Sequence, residues 1–273
     1  MAVPAFAIEI DNYPSKTITY SVCTLVSDHV EYGLMVKSFI DAGFDLSSTE
    51  FIYIDNTKSN KYDAYQGLNK SIVTSRGEYI ILCHQDIELR FDKRDILEER
   101  IKEVEALDPN WGIISNAGGV HLKKTIERIS HVDHELNEGP FPCLVKSVDE
   151  NFMLIKRSSN LGFSSDLRGF HMYGTDICIL ANILGYNAWV IDFHLFHKSN
   201  GNMNESFFNS RNALIKKYNH AFRPRYIRST CTRMFISGNR MVVFLMNTKV
   251  MVFIYKLHLK IKRRIKGSYI FEG

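Results

Sequence analysis

Arg76-Gly-Glu-Tyr-Ile-Ile-Leu-Cys-His-Gln-Asp86 is the stretch from which the fold can be read. Within it an apolar, β-rich run from Tyr79 to Cys83 stops abruptly at a polar triplet, His84-Gln85-Asp86. A short apolar run with this boundary is typical of a strand buried on both faces of a parallel sheet. We therefore expect His84 and Asp86 to follow the strand directly, on the same side of an extended chain.

Strand-like and helix-like segments alternate on both sides of this stretch. Strands are predicted at Thr19–Val26, Phe51–Ile54 and Trp111–Ser115, and helices at Glu31–Gly43, Tyr62–Ser75 and Asp92–Leu107. This alternation predicts an α/β fold with a doubly wound, mostly parallel sheet, whose ligands bind beyond the carboxyl ends of the strands. Those ends carry Ser27-Asp28, Asp55-Asn56 and the triplet, so three strands deliver an acid to one rim.

Composition and missing motifs exclude several classes of protein. Hydrophobic residues make up 45% and charged residues 23% of the 273, so disordered and collagen-like chains are excluded. No GxGxxG follows the first strand and no GxxxxGK[ST] occurs, which removes the main support for a dinucleotide dehydrogenase or a P-loop kinase. The five cysteines are scattered without a CxxC pair, which favours a reducing compartment. Because the first residues lack a basic segment followed by a long apolar run, we expect no signal peptide and a cytoplasmic protein.

Charge is distributed unevenly along the chain. Residues 206–273 contain fifteen Lys and Arg against the single acid Glu272, whereas residues 1–205 contain nineteen against 29 acids. The net charges are therefore +14 and −10, which sum to the +4 of the whole chain. We predict two regions on this basis: a catalytic or binding domain at 1–205, and a basic, amphipathic C-terminal region at 206–273.

The C-terminal region also carries apolar runs, Met241–Met246 and Val250–Tyr255, interrupted by basic residues. No uncharged stretch approaches the roughly 20 residues that span a bilayer, so we expect the region to lie flat on the inner, anionic face of a membrane. A solvated basic face of an ordinary subdomain remains the main alternative, and nucleic acid is not the expected partner. Because Lys256–Lys262 alternates with period two, a strand remains open there.

Several downstream residues suit metal or acid–base chemistry. A hard divalent cation prefers oxygen ligands, which Asp86 supplies, and imidazoles such as those of His194 and His197 bind Mn or Zn readily. Asp176 stands where a glycine-marked loop enters an apolar helix. There it can cap the helix, act as a general base, or do both. His121, His131, His134 and Asp149-Glu150 lie in the middle region, and the sequence alone assigns them no role.

The order of these motifs over residues 18–200 resembles a family-2-type glycosyltransferase of the GT-A fold. In that family the segment matching Gly77–Ile80 leads into a strand that ends in a DxD motif, which holds a metal and the diphosphate of a nucleotide sugar. Here an HxD variant, His84-Gln85-Asp86, stands at that place. The downstream "ED" motif of the family is matched by Thr175-Asp176, again without the first acid.

The resemblance implies transfer of a sugar from a nucleotide-diphosphate donor, most simply a UDP-sugar, to an acceptor hydroxyl with inversion and the help of Mn or Mg. The acceptor is expected to be a lipid-linked or polysaccharide glycan. Carried over residue by residue, Asp176 is the catalytic base and Asp86 and His197 are metal ligands. The donor site is then formed by Ser27, Asp55, Asn69, Arg76, His84 and Asp86.

Two other functions stay open at this point. One is a non-catalytic nucleotide-sugar or carbohydrate-binding protein on a degenerate site, since both acid pairs are incomplete. The other is a metal hydrolase that holds zinc between His84, Asp86, His194 and His197, although the short spacing of an HExxH motif is missing.

Overall fold

The structure is a computed structural model that describes residues 18–199, 201 and 203–266. Its contacts divide the chain into two units, Met1–Leu214 and Ile215–Gly273. The division falls inside a helix, Glu205–Ala221, whereas the charge distribution places it at residue 205. The two units are taken one after the other.

The first half of the larger unit alternates strands and helices, as the sequence predicts. Its elements are β1 (Ile18–Val26), α1 (His29–Asp41), β2 (Thr49–Asp55), α2 (Ala64–Thr74), β3 (Gly77–Cys83), β4 (Ile87–Glu88), α3 (Arg94–Leu107) and β5 (Trp111–Ser115). Each of the seven segments predicted from the sequence, four strands and three helices, is present, with ends that differ by a few residues.

The second half of this unit is richer in short strands. Its elements are β6 (Ala117–His121), β7 (Lys124–Ser130), β8 (Glu135–Glu138), β9 (Cys143–Val145), β10 (Ser147–Val148), β11 (Phe152–Lys156), α4 (Tyr173–Ile183), β12 (Asn187–Val190), β13 (Leu195–His197) and the start of α5 (Glu205–Ala221).

The central sheet has seven strands in the order β2-β1-β3-β11-β5-β12-β9. The pairs β1–β2, β1–β3 and β5–β12 are parallel, while β11 is antiparallel to β3 and β5, and β9 is antiparallel to β12. Five of the seven strands therefore run in one direction. This confirms the predicted α/β fold class with a mostly parallel sheet.

Helices cover both faces of the central sheet. On one face, Tyr20 and Val22 of β1 join a core with Met35 of α1 and Leu97 of α3. On the other face, α2 lies so close to β1 that a Cβ added at Gly67 would stand 2.6 Å from a methyl carbon of Leu25. Alternate side chains of a strand point to opposite faces of its sheet, so α1 and α3 lie on one face and α2 lies on the other. The sheet is therefore doubly wound, as predicted.

A second sheet brings distant residues to the end of β3. Its order is β10-β6-β7-β13-β4, with β8 also paired to β7. β13 runs antiparallel to β4 in a register that sets His197 opposite Ile87. Since Ile87 directly follows Asp86, this pairing carries a histidine from more than one hundred residues downstream to the carboxyl end of β3.

The smaller unit contains a hairpin and two helices. The hairpin joins β14 (Arg225–Arg228) and β15 (Arg233–Ile236), and the helices are α6 (Arg240–Met246) and α7 (Lys249–Lys266). Tyr226 packs against Phe235 and Tyr255 with ring centroids 4.9 and 4.3 Å apart, and its hydroxyl donates to the Met246 carbonyl. The alternating segment at 256–262 is helical, so the strand kept open for it is not formed.

Among the described residues no single helix is long and apolar enough to cross a membrane. Helices α6 and α7 meet the length and composition required only as a pair, and the pair is bent by 73° at its junction.

Candidate functional site

The carboxyl end of β3 forms a cluster with the end of β13. One ligand atom each of His84, Asp86 and His197 lies within 4.8 Å of the others. His197 Nε2 lies 3.4 Å from Asp86 Oδ1, and the His84 and His197 ring centroids are 5.5 Å apart. We call these three residues the triad. The structure thus brings together the HxD motif and the predicted late ligand.

Each triad imidazole is held by neighbouring groups. His84 Nε2 lies 3.0 Å from the Tyr173 hydroxyl, which lies 3.4 Å from the Glu150 carbonyl oxygen. With that hydroxyl donating to the carbonyl, Nε2 of His84 is the donor and Nδ1 keeps its lone pair. His197 Nε2 shares a 3.1 Å hydrogen bond with the Ser199 hydroxyl. Such outer partners fix the orientation of metal-binding histidines in proteins.

Electrostatics keeps the triad in the form that binds cations. Burial by itself would raise the pKa of Asp86, but the hydrogen bond and charge of His197 outweigh burial and hold that pKa well below its usual range. Burial, followed by the charge of His197, lowers the pKa of His84. At neutral pH the triad therefore offers a carboxylate and at least one neutral imidazole.

This donor set fits a divalent transition metal. Imidazole and carboxylate together suit Mn, Fe or Zn, whereas Mg prefers an all-oxygen environment. The three ligand atoms are close enough to meet at one ion, and their outer partners are in place. His194, the fourth ligand of the hydrolase alternative, is instead bonded to Ser130 at 2.8 Å and stacked on Phe91 at 3.8 Å.

A cavity of about 540 Å³ opens beside the triad, with His84 and His197 in its wall. Its carboxylates are Glu127, Asp149 and Glu150. Its apolar wall includes Ile129, Leu136, Phe170, Met203 and Phe207, and its other histidines are His131, His134 and His171. Aromatic faces combined with carboxylates and imidazoles form a wall suited to a polyhydroxylated molecule.

Ser27 and Asp55 lie on the same rim as the triad, at the ends of β1 and β2. The Gln85 side chain ties the rim together, because its Oε1 accepts from the Ser27 and Asp28 N–H groups at 2.8 and 3.0 Å. Hydrogen bonds from Thr57 lower the pKa of Asp55, which is exposed and remains charged. With adjacent strands about 4.8 Å apart, Asp55 lies roughly 10 Å from the end of β3.

Asn69 fixes the loop that precedes α4. Its amide accepts from the Phe163 N–H at 2.8 Å and donates to the Phe163 carbonyl at 2.9 Å. It also borders a smaller cavity of about 340 Å³, together with Tyr62, Lys70, Ser165 and Arg168. Both polar atoms of its side chain are engaged with the protein, so its contribution to a ligand site is the position of this loop.

Arg76 is not brought to the rim. It precedes β3, and a strand of seven residues separates it from His84 by roughly 20 Å. Its guanidinium pairs with Glu50 at 2.8 Å at the amino end of the sheet. A parallel strand delivers its two ends to opposite edges, which is why a residue next to the motif in sequence is remote from it in space.

Asp176 lies in the first turn of α4 with no exposed surface. One carboxylate oxygen accepts from the Ser164 N–H at 2.8 Å and the other from the Ser164 hydroxyl at 2.6 Å. These bonds tie the loop before α4 to the start of the helix. The predicted base is therefore engaged with the protein through both oxygens.

Glu150 is a candidate residue whose role could not be predicted from the sequence. Its Oε1 accepts from the Gly174 N–H at 3.1 Å, at the start of α4. A Cβ at Gly174 would stand 2.5 Å from the Val148 carbonyl oxygen, so glycine is what permits this approach. Burial, with the neighbouring charge of Asp149, raises the pKa of Glu150 to about 8 against the opposing backbone hydrogen bonds. The feature of the sequence that could have indicated this role is the acidic pair Asp149-Glu150, which lies just before the apolar strand β11.

The chain belongs to the family of the protein encoded by ORF 6 of the ATP synthase subunits region of Fuscovulum blasticum. The two are 32% identical over 243 residues, which cover 86% of this chain and 96% of that protein. No family model matches the chain.

Solved structures with a similar arrangement include the mannosyltransferase PcManGT from Pyrobaculum calidifontis, in complex with GDP-Man and Mn2+. It matches with a TM-score of 0.47 and 13% identity over 78% of this chain and 65% of that chain. S. aureus TarS 1-349 in complex with UDP matches with a TM-score of 0.49 and 9% identity, over 67% and 61%. The chain spans less than two thirds of the length of these solved chains.

Proposed function

We propose that this protein is a nucleotide-sugar-dependent glycosyltransferase with the GT-A fold, which transfers a sugar to the hydroxyl of a glycan or lipid-linked acceptor. The observation that carries the proposal is the triad at the carboxyl end of β3, open to a 540 Å³ cavity and beside the polar ends of β1 and β2. Ligands of doubly wound sheets bind at this edge. The resemblance of the motifs to family-2-type glycosyltransferases supports the same conclusion.

His84, Asp86 and His197 would hold a divalent metal, for which Mn suits the mixed donor set better than Mg. When bound, such an ion stabilises the negative charge that develops on a departing diphosphate. Tyr173 and Ser199 keep the two imidazoles in the required orientation. Asp86 enters this role as an anion, because its pKa lies far below neutrality.

The donor nucleoside, expected to be uridine, would lie across the ends of β1 and β2. Asp55 is exposed and charged there, and can accept hydrogen bonds from ribose hydroxyls or from the base. Gln85 uses its amide to hold the loop at Ser27, so that this wall is formed before a ligand arrives. The acceptor would enter from the cavity, on the other side of the triad, which gives inversion at the anomeric carbon.

Turnover and binding separate this proposal from its alternatives. The purified protein would be incubated with UDP-glucose, UDP-GlcNAc or GDP-mannose, with and without Mn2+, and release of the nucleoside diphosphate would be measured. We expect metal-dependent release from one of them. Binding of UDP and Mn2+ without turnover would favour a binding module, and binding of zinc without any nucleotide would favour a hydrolase.

The smaller unit supports a second part of the proposal, a peripheral membrane contact on the cytoplasmic face through residues 206–273. Five apolar side chains of α7 share one helical face by their spacing of three or four residues, and each is about half to two-thirds exposed: Val250, Phe253, Ile254, Leu257 and Ile261. Lys249, Lys256 and Lys260 follow one edge of this stripe. Apolar residues bordered by lysines suit an anionic lipid surface.

Flotation with vesicles tests the membrane contact. We expect the protein to float with vesicles that contain phosphatidylserine, less with phosphatidylcholine alone, and not after the double change Phe253→Ser and Leu257→Ser. Leu122→Ser is the matched control, because Leu122 is a fully exposed apolar residue of the larger unit. Equal flotation of the double variant and the control would contradict the proposed membrane contact, and the transferase proposal would be unaffected.

A further inference from the structure

We propose that Glu150 is the general base of the transfer and that the cavity it borders receives a carbohydrate hydroxyl. This inference rests on the proposed function and assigns its acceptor side. Glu150 lines the same cavity as His84 and His197, whereas Asp176 has no surface in contact with solvent. A base must reach the proton that it removes, so exposure to the cavity is the first requirement.

Several contacts hold the Glu150 carboxylate in place without occupying it fully. Oε1 accepts from the Gly174 N–H, and the backbone N–H groups of Tyr173 and Met172 also favour the ionised form. A carboxylate offers about four lone-pair positions, which leaves one for a hydroxyl proton. The Glu150 backbone is tied to the triad through Tyr173, whose hydroxyl lies within hydrogen-bond distance of both the Glu150 carbonyl and His84. The base and the metal ligands are thereby linked by one side chain.

The backbone around this contact is specialised. Met172, the residue before α4, has a φ of 67°, a left-handed conformation that is uncommon for residues other than glycine. The helix then begins with a glycine whose missing Cβ allows Val148 and Glu150 to approach. Backbone strain of this kind is found preferentially at functional sites, where the surrounding structure maintains it.

The environment gives Glu150 the proton affinity that a base needs near neutral pH. Burial and the negative charge of Asp149 both favour the protonated form, and the resulting pKa of about 8 is close to the working pH of a cell. An ordinary glutamate, with a pKa near 4.3, would be a much weaker acceptor of a hydroxyl proton. The pKa supports the assignment that the cavity geometry makes.

Glu150 and the departing nucleoside diphosphate account for the proton and the electron pair that move in the transfer step. The acceptor hydroxyl gives its proton to the Glu150 carboxylate, and its oxygen forms the new bond to the anomeric carbon. The bond from that carbon to the diphosphate oxygen breaks, and its electron pair leaves with the nucleoside diphosphate. Glu150 later returns the proton to solvent through the open side of the cavity.

The remaining cavity wall indicates the acceptor class. Phe170, Phe207 and Met203 provide apolar surface on which the C–H face of a sugar ring can pack, and Glu127, His131 and His134 provide hydrogen-bonding groups for its hydroxyls. An acceptor with a large apolar head would leave these polar groups without partners. We therefore assign the cavity to a sugar unit.

The test is the Glu150→Gln variant, assayed by release of nucleoside diphosphate from whichever sugar nucleotide the wild-type protein hydrolyses, with Mn2+ and water as acceptor. Glutamine keeps the shape and the acceptor for the Gly174 N–H but cannot take the proton. We expect a loss of about 10²- to 10⁴-fold in kcat. Binding of UDP and Mn2+, measured by calorimetry, and the circular dichroism spectrum should match the wild type. Glu138→Gln, at an exposed position of β8, is the matched control.

The possible outcomes are distinguishable. A Glu150→Gln variant that keeps more than a third of the wild-type kcat overturns the assignment and leaves the transferase proposal standing. An Asp176→Asn variant that folds and melts like the wild type but has lost turnover also overturns it, since the base is then Asp176. If the wild type releases no nucleoside diphosphate from any sugar nucleotide, the proposed function fails and this inference fails with it.

Discussion

Two carboxylates, one at the end of β3 and one in the first turn of α4, differ in their exposure and in the groups that they contact. Asp86 is about one-fifth exposed, and its partner at 3.4 Å is His197, which is itself a metal-ligand candidate. Asp176 is completely buried, and both its oxygens accept hydrogen bonds from Ser164. The polar groups of the first region face one another at the rim of the sheet, and those of the second face the loop before α4.

The difference shows how local position decides what an acid does. A strand in a parallel sheet ends at the rim where the ligands of such sheets bind, so an acid there can face a ligand. A helix that starts under a loop covers its first turn, and an acid there is used to fix the loop and to complement the helix dipole. Glu150 is intermediate, because it touches the same helix terminus but lies in the cavity wall.

The largest effect is expected from removing the carboxylate of the first region. Asp86→Ala should reduce release of nucleoside diphosphate by at least about a thousandfold, because a metal held by two imidazoles alone is bound weakly and oriented poorly. Calorimetry should show loss of Mn2+ binding in the same variant. The melting temperature should also fall, because the contacts with His197 and Ser199 that hold the pKa of Asp86 low in the folded protein are lost.

Asp41→Ala is the matched control for Asp86. Asp41 is an exposed acid of α1 whose ion pair is with Lys37, one helical turn away, and its replacement should leave turnover and metal binding unchanged. If Asp86→Ala binds Mn2+ as the wild type does, the triad is not the metal site and the first half of the comparison is lost.

The rim could be predicted from sequence because it depends on local signals. The apolar run at 79–83 and the polar triplet after it define a strand and its end without knowledge of the fold. Neighbouring strands obey the same rule, so Ser27 and Asp55 were placed correctly on the rim. His197 also follows an apolar run. Its approach to Asp86, however, depends on the pairing of its strand with Ile87, which the order of the motifs suggests but does not define.

Other residues could not be assigned because their roles depend on long-range packing. Whether Asp176 is open or covered depends on the loop at Ser164, and nothing in the sequence near Asp176 fixes that loop. The role of Glu150 depends on the close approach of α4, for which the isolated Gly174 was a weak sign. Arg76 was assigned to the donor site through the resemblance, although the full length of β3 separates it from the motif.

The pH dependence of stability provides the next largest effect and concerns Glu150. Its pKa is raised from 4.5 to about 8 in the folded protein, so the folded state favours the protonated carboxyl. Glu150 therefore contributes to the free energy of unfolding fully below about pH 4.5, and this contribution is lost as the pH rises through 8. Between pH 5 and pH 9 the wild type should lose on the order of 3 kcal/mol more than Glu150→Gln, after allowance for partial solvent screening.

Denaturant unfolding of both proteins at pH 5, 7 and 9 checks this difference. The titratable groups around Glu150 include Asp149, Tyr173, His84 and His171, and all of them remain in the variant. The difference between the two pH profiles therefore reports Glu150 and its coupling to these groups. Asp149→Asn should reduce the pH-dependent loss, because it removes a charge that raises the pKa. Identical pH profiles for the wild type and Glu150→Gln would contradict the raised pKa.

A smaller effect is expected for Asp176→Asn, which tests the second half of the comparison. The amide oxygen can keep the bond from the Ser164 N–H and the NH2 group can donate to the Ser164 hydroxyl. Both bonds lose the assistance of a negative charge, which costs about 1–2 kcal/mol of unfolding free energy. The folded variant should keep most of its turnover, because the residue does not border the cavity. Guanidinium unfolding and kcat measured on the same preparation check both statements. Unchanged stability combined with loss of kcat would move the catalytic role back to Asp176.

The smallest effect should come from Arg76→Ala, at the opposite edge of the sheet. Its ion pair with Glu50 is largely exposed on the arginine side, and exposed pairs contribute about 1 kcal/mol or less. The variant should lose no more than that in unfolding free energy, and kcat and the affinity for UDP should match the wild type, because a strand of roughly 20 Å separates Arg76 from the rim. A loss of UDP affinity would mean that the amino end of β3 takes part in donor binding, and the contrast between the two edges of the sheet would then fail.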